Sequence, residues 1–252
     1  MKTISYELSL HHHIKVLIRL EQMLLNFEIQ IQQLTPNSMH LALLNTNQII
    51  ELIETQDVKL HLVKEVERLT SKLLAWQDNP NIDNKTLVNT IEQLKKIEKN
   101  INKSPDVGIV KENNFLKEFN KQLKQNAGLS MLDFPRFNFR LNSNLSPVQI
   151  TLLEWSEVFK AYLQSTSLVL KIIRGTSFTN EQIAKEGYYQ ESLDKSIEYL
   201  LIRVHMPMGV PCYPEITGGI YHITIRMLKD DWNYGTSTFK KNVRFMLSKC
   251  HK

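Results

Sequence analysis

Arginine on alternating positions is the pattern richest in chemistry in this sequence. Read as a strand, Ile220–Leu228 places His222, Thr224 and Arg226 on one face and Tyr221, Ile223, Ile225 and Met227 on the other. The alternating stretch from Phe134 to Leu141 similarly sets Arg136, Asn138 and Arg140 apart from Phe137, Phe139 and Leu141. Arg203 and Arg244 fall on the outward sides of two further strand-like stretches. A guanidinium donates two parallel hydrogen bonds to a carboxylate or phosphate, and clustering it costs self-repulsion unless an anion compensates. Residues 200–252 hold eight Lys or Arg against three acids, whereas the preceding 199 residues balance at 23 of each. The chemistry on offer is anion docking, with Tyr213, Trp232 and Tyr234 near enough in sequence to add apolar contacts.

Other chemistries fit less well. His11, His12 and His13 are consecutive, and neighbours on a helix diverge by about 100°, so they cannot converge on one metal ion. Gly218-Gly219 lacks the surrounding frame of a phosphate-binding loop and reads as a turn. Cys212 and Cys250 stand 38 residues apart without His or Cys at ligand spacing and without an activating neighbour. No G-x-S-x-G nucleophile motif occurs. These features point to a binding protein with no catalytic residues, no metal and no cofactor. Nucleic acid is the alternative ligand for the same C-terminal basic surface. No recognition helix-turn-helix, zinc finger or RNA-binding aromatic motif is visible, and a net charge of +5 is modest for a phosphate binder. No apolar run is long enough to span a membrane, the N-terminus lacks the apolar core of a secretion signal, and two scattered cysteines suit a reducing compartment. A soluble cytoplasmic protein is expected.

The elements that would carry these residues fall into two groups. Leu17, Leu20, Leu24, Phe27, Ile31 and Leu34 make one helical face over about 12–34. Weaker helical segments follow at 38–44 and 47–55, and Asp57 is positioned to cap a helix running to Trp76. Asp78 to Asn81 reads as a turn. Asp83 opens a helix with Leu87, Ile91, Leu94, Ile97 and Ile101 in register, closed by Ser104-Pro105. A further helix is expected over 111–126, stopped by Ala127-Gly128. The 134–141 stretch reads as a strand, and Ser146-Pro147 starts the longest helix, ending at Arg174-Gly175. Strands are expected near 187–191, 198–206, 220–228 and 240–247. The fold class is α+β: a helical bundle domain (1–128 with 146–175, discontinuous) plus a small antiparallel β domain (129–145 with 176–252) carrying the basic surface.

Several segments together resemble the ZapD family of FtsZ-associated cell division proteins. They are Leu17-Ile18-Arg19-Leu20-Glu21, Leu132-Asp133-Phe134-Pro135, Gly187-Tyr188-Tyr189-Gln190, Tyr213-Pro214-Glu215-Ile216-Thr217-Gly218 and Ile225-Arg226. The pattern around Trp76 and Gln93-Leu94-Lys95 is also similar, so the likeness spans nearly the whole chain. The resemblance implies a homodimer that holds the FtsZ C-terminal tail in a basic pocket and so crosslinks and bundles protofilaments at the mid-cell division ring. Carried over by position, it implies Lys15, Asn138, Arg174, His222 and Arg226 as tail-binding residues. Lys15 and His222 stand where the family carries Arg, and Asn138 where it carries His. These departures lower the fixed charge and shift weight to Arg226, Arg174, Arg140 and Arg136. Arg203 completes the expected set, with no membrane and no nucleic acid among the partners.

Overall fold

The computed structural model of the chain describes residues 2–77, 83–124, 134–231 and 235–252. It divides into two compact units: Val16–Val169, and Met1–Lys15 with Leu170–Lys252. The first is helical and the second carries the sheets.

In the helical unit, α1 (His12–Gln32) buries Leu17, Leu20, Leu24, Phe27 and Ile31, alternate spacings of three and four that make one stripe. α2 (Pro36–Thr55) starts at Thr35, whose hydroxyl accepts from the Ser38 amide, with Pro36 in the first turn. It is one helix where two weak ones were expected. Asn45, which interrupts the apolar pattern, is buried and donates to the Met23 carbonyl at 2.8 Å, so the polar break is satisfied inside the bundle. α3 (Val58–Leu74) follows Asp57, whose side chain caps nothing; the residue is instead a left-handed turn position at φ 46°. α4 (Asn84–Asn102) opens on Asp83, which accepts from the Lys85 amide and the Thr86 hydroxyl, and the five apolar residues expected in register, Leu87, Ile91, Leu94, Ile97 and Ile101, are buried. The helix expected over 111–126 is two, α5 (Gly108–Lys111) and α6 (Asn114–Leu123). Asn113 divides them by accepting from the amides of Phe115 and Leu116, a side-chain cap that restarts the helix. The turn expected at 78–81 and the cap at 127–128 lie outside the described residues.

The expected strand at 134–141 is a helix, α7 (Pro135–Ser143), and belongs to the helical unit. Phe137 and Leu141 satisfy both periods, being two apart from Phe139 and four apart from each other. Phe139 decides: it is exposed, while Phe134, Phe137 and Leu141 are buried at helical spacing. Pro135 sits in the first turn, where its missing N–H costs nothing. The rings of Phe134, Phe137, Phe115 and Phe119 then pack between α6 and α7 at centroid separations of 5.3–6.1 Å. α8 (Ser146–Gly175) is the longest helix among the described residues. Its Phe159 meets Phe27 of α1 edge-on at 5.6 Å. Phe27, Phe119, Phe137 and Phe159 are fully buried, and each contributes roughly 2–3 kcal/mol of burial.

The β unit holds two antiparallel sheets. One has the order β1 (Thr3–Ser9), β4 (Tyr199–Pro207), β8 (Val243–His251), β2 (Ser177–Ala184). The other has β3 (Tyr188–Ser192), β6 (His222–Asp231) and β5 (Tyr213–Gly218), with β7 (Gly235–Thr238) also paired to β6. Alternate residues fill the space between them: Ile202, Val204, Met206, Phe245 and Leu247 from the first sheet against Ile223, Ile225 and Met227 from the second. Residues between those on each strand therefore point outward. Tyr221, expected on the inner face, precedes β6 and is exposed. β1 was not expected from the sequence, nor were β2, β5 and β7.

Candidate functional site

Arg226 lies on the outward face of β6, in one cross-strand row with Tyr188 of β3 and Glu215 of β5. The next row outward is Gln190, Thr224 and Thr217, and His222 stands opposite Ser192 at the strand's start. Arg226 donates from Nε to Glu215 Oε2 at 2.9 Å and from Nη2 to the same oxygen. Both partners are about half exposed, at 52% and 40%, so the pair contributes only about 0–1 kcal/mol and is exchangeable for an external carboxylate. Beside His222, the exposed Tyr221 ring carries the Lys195 ammonium 5.5 Å from its centroid. The face combines cations, hydroxyls and aromatic edges. The turn before β6 is set by Gly218, at φ 146°, where a Cβ would stand 2.4 Å from the His222 carbonyl oxygen. Trp232 and Tyr234 lie outside the described residues.

Arg174 and Arg203 meet elsewhere, against the outer face of the β1–β4–β8–β2 sheet. Glu7 on β1 accepts from Arg174 through both oxygens, each at 2.9 Å, and from Arg203 Nε at 2.8 Å. Burial pushes the Glu7 carboxyl up, but the hydrogen bonds and charge of Arg174 and then Arg203 outweigh it and hold it below its ordinary value. Alongside runs a polar chain across all four strands: Ser5 Oγ to His205 Nδ1 at 2.7 Å, His205 Nε2 to Ser248 Oγ at 3.0 Å, and Ser248 Oγ to Thr179 Oγ1 at 2.6 Å. Burial, and then the Arg203 charge, lower the His205 pKa, so the ring is neutral near pH 7. Burial pushes the Cys250 thiol up to about 11 and leaves it unreactive.

Arg136 and Arg140 sit one turn apart on α7 and line a cavity of about 310 Å³ in the helical unit. Arg136 pairs with Glu118 at 2.8 Å and lies over the Phe115 ring. Asn138, between them, accepts from the Asn142 amide instead. Lys15 is exposed in the first turns of α1. The eight expected residues thus separate into an Arg226–His222 face, an Arg174–Arg203 pair closed by Glu7, an Arg136–Arg140 cavity, and Lys15 and Asn138 apart. Sequence reasoning missed Glu7 and Glu215 as counterions. Ile4, Tyr6 and Leu8 alternate with Ser5, Glu7 and Ser9, and that alternation was the available signal for both β1 and an outward Glu7.

Charge separates by unit as it does by sequence segment. The β unit holds fourteen basic and nine acidic side chains, the helical unit seventeen of each. All of the +5 belongs to the β unit. The model of the ZapD family, described as a cell division protein, matches residues 18–226.

This chain belongs to the ZapD family. Among its relatives is a cell division protein ZapD of Coxiella burnetii (strain RSA 331 / Henzerling II), 26% identical over 252 residues and covering 98% of each chain. Those of Methylococcus capsulatus and Azoarcus sp. (strain BH72) are 26% and 25% identical, again over 98% of this chain. Membership supports a role in cell division. The ZapD match takes in every expected site residue except Lys15, and Arg226 is its last position. No helix among the described residues is long and apolar enough to cross a membrane.

Proposed function

We propose that this chain binds the C-terminal tail of FtsZ on the outer face of the β3–β6–β5 sheet and, as a homodimer, crosslinks and bundles FtsZ protofilaments at the mid-cell division ring. The observation that carries this is Arg226. It stands on the outward face of the cationic unit, directly across from Tyr188 and two rows along the same face from His222, and its counterion Glu215 is half exposed and exchangeable. A tail carboxylate replaces Glu215, one ion pair for another at small cost, while Tyr188 and Tyr221 offer apolar surface to neighbouring tail residues. Arg174 and Arg203 lie against the outward face of the other sheet, held by Glu7, and take no part in this face; Lys15 and Asn138 are tail contacts on the family resemblance alone. Two such faces in one dimer hold two tails at once, and the gain comes from effective concentration rather than from a strong single contact.

The test is bundling. Arg226→Glu is expected to abolish FtsZ bundling in a sedimentation assay while light scattering still reports the same dimer. Glu215→Gln removes the internal competitor and is expected to tighten tail binding about two- to fivefold. Normal bundling by Arg226→Glu would sink the site. Anisotropy titrations with DNA and RNA test the alternative, and tight binding there with none to the tail would replace this function by nucleic-acid binding.

A further inference from the structure

The Arg136–Arg140 cavity stands apart from the tail-binding face in its chemistry and in its unit. Its inner wall is apolar: Leu43, Val148, Leu152 and Trp155 are all nearly or fully buried. Arg136 and Arg140, spaced four residues apart on α7, supply cations to one side of it. The first turns of α6 and α8 also line it, through Asn114 and Pro147 among others, and helix N-termini carry partial positive charge. A volume of about 310 Å³ lies at the small end of the range for sites that enclose organic ligands.

The charge balance narrows the ligand class. Arg136 is already matched by Glu118 at 2.8 Å, and its guanidinium lies over the Phe115 ring. Arg140 is only partly exposed and has no ion pair among the described residues. Among the described residues the cavity therefore offers one positive charge without an ion pair beside an apolar wall. A monoanion balances it; a dianionic phosphate would leave charge unpaired against that wall.

We propose that this cavity is a second binding site, for a single carboxylate carried on an apolar body about the size of one ring. Arg140 holds the carboxylate, with Arg136 donating beside it, and the body lies against Trp155, Val148 and Leu152. The same chemistry arises from a free aryl-alkanoic acid and from the C-terminal apolar residue of a peptide chain. The site is independent of the FtsZ-tail face.

The experiment is calorimetric titration of the full chain with 3-phenylpropionate and with an acetylated tetrapeptide ending in Phe, each against its C-terminal amide. Each acid that binds is expected to do so about tenfold or more tightly than its amide. Arg140→Met should remove that preference, and Arg140→Lys should restore part of it. Thr151→Phe, which fills the cavity from α8 without touching either arginine, should abolish binding while circular dichroism stays unchanged. Tighter binding of the peptide assigns the site to a chain terminus, and tighter binding of the free acid to a small molecule. Arg226→Glu should leave both titrations as they were. Equal binding of acid and amide, full binding by Arg140→Met, or no saturable binding of either probe would overturn the proposal.

Discussion

Glu7 accepts hydrogen bonds from Arg174 and Arg203, three side chains that are each no more than about a quarter exposed. Their mutual attraction is weakly screened there, and a guanidinium left unmatched in that setting is costly. The two arginines are therefore held by the fold before any partner arrives, a constraint that basic residues counted along a sequence do not display. Glu7→Gln is expected to destabilise the β unit by about 2–4 kcal/mol at neutral pH. The pH dependence should change with it. Because the folded carboxyl is held below its ordinary value of 4.5, its contribution is fully present above that value and fades as pH falls through the lowered one. Urea unfolding of the two proteins at neutral pH and again at strongly acidic pH checks this. The gap between them should narrow on acidification, and a gap that stayed constant would remove Glu7 from the account.

Elements differ in how plainly their residues announce them. α4 was legible because five apolar residues at spacings of three and four admit no strand reading and Asp83 caps its start. β6 was legible because Ile223, Ile225 and Met227 alternate with polar residues, and its outward Arg226 and His222 were legible with it. α7 was not, since Phe137, Phe139 and Leu141 fit a period of two as well as they fit α7, and only the packing of Phe134 and Phe137 on α6 settles the matter. With α7 went the placement of Arg136 and Arg140, which line a helical cavity rather than a sheet. β1 carried a visible alternation, but its partner β4 lies nearly two hundred residues away, and no local signal reports such a pairing. Gly218 is an element-scale requirement: its φ of 146° and a Cβ position 2.4 Å from the His222 carbonyl oxygen exclude any side chain at that one position of the β5–β6 turn. Gly218→Ala is expected to cost about 1–3 kcal/mol in urea unfolding. Gly219→Ala is the matched control, because a Cβ there meets nothing within 4 Å, and it should fall within about 0.5 kcal/mol of wild type.

On the scale of the whole molecule, one unit carries all the net charge and the other is neutral. A charged unit attracts an acidic tail without committing to it: exposed pairs such as Arg226–Glu215 form and exchange quickly, and salt weakens them. A single such contact would tether one filament briefly. Bundling needs two, and the proposed homodimer supplies them by symmetry, so bundling depends on how many dimers carry two intact faces rather than on how many faces exist. That distinction can be measured by mixing. When wild-type chains and Arg226→Glu chains are allowed to exchange subunits in equal amounts, random pairing leaves about a quarter of dimers with two working faces while half of all faces still bind. Pelleted FtsZ is expected to fall toward a quarter of the wild-type level as tail binding, read by anisotropy, falls only to about half. Blending preformed dimers without exchange should give half for both readouts. Bundling that tracked the number of faces in the exchanged mixture would show that one face suffices, and the dimer would lose its place in the mechanism.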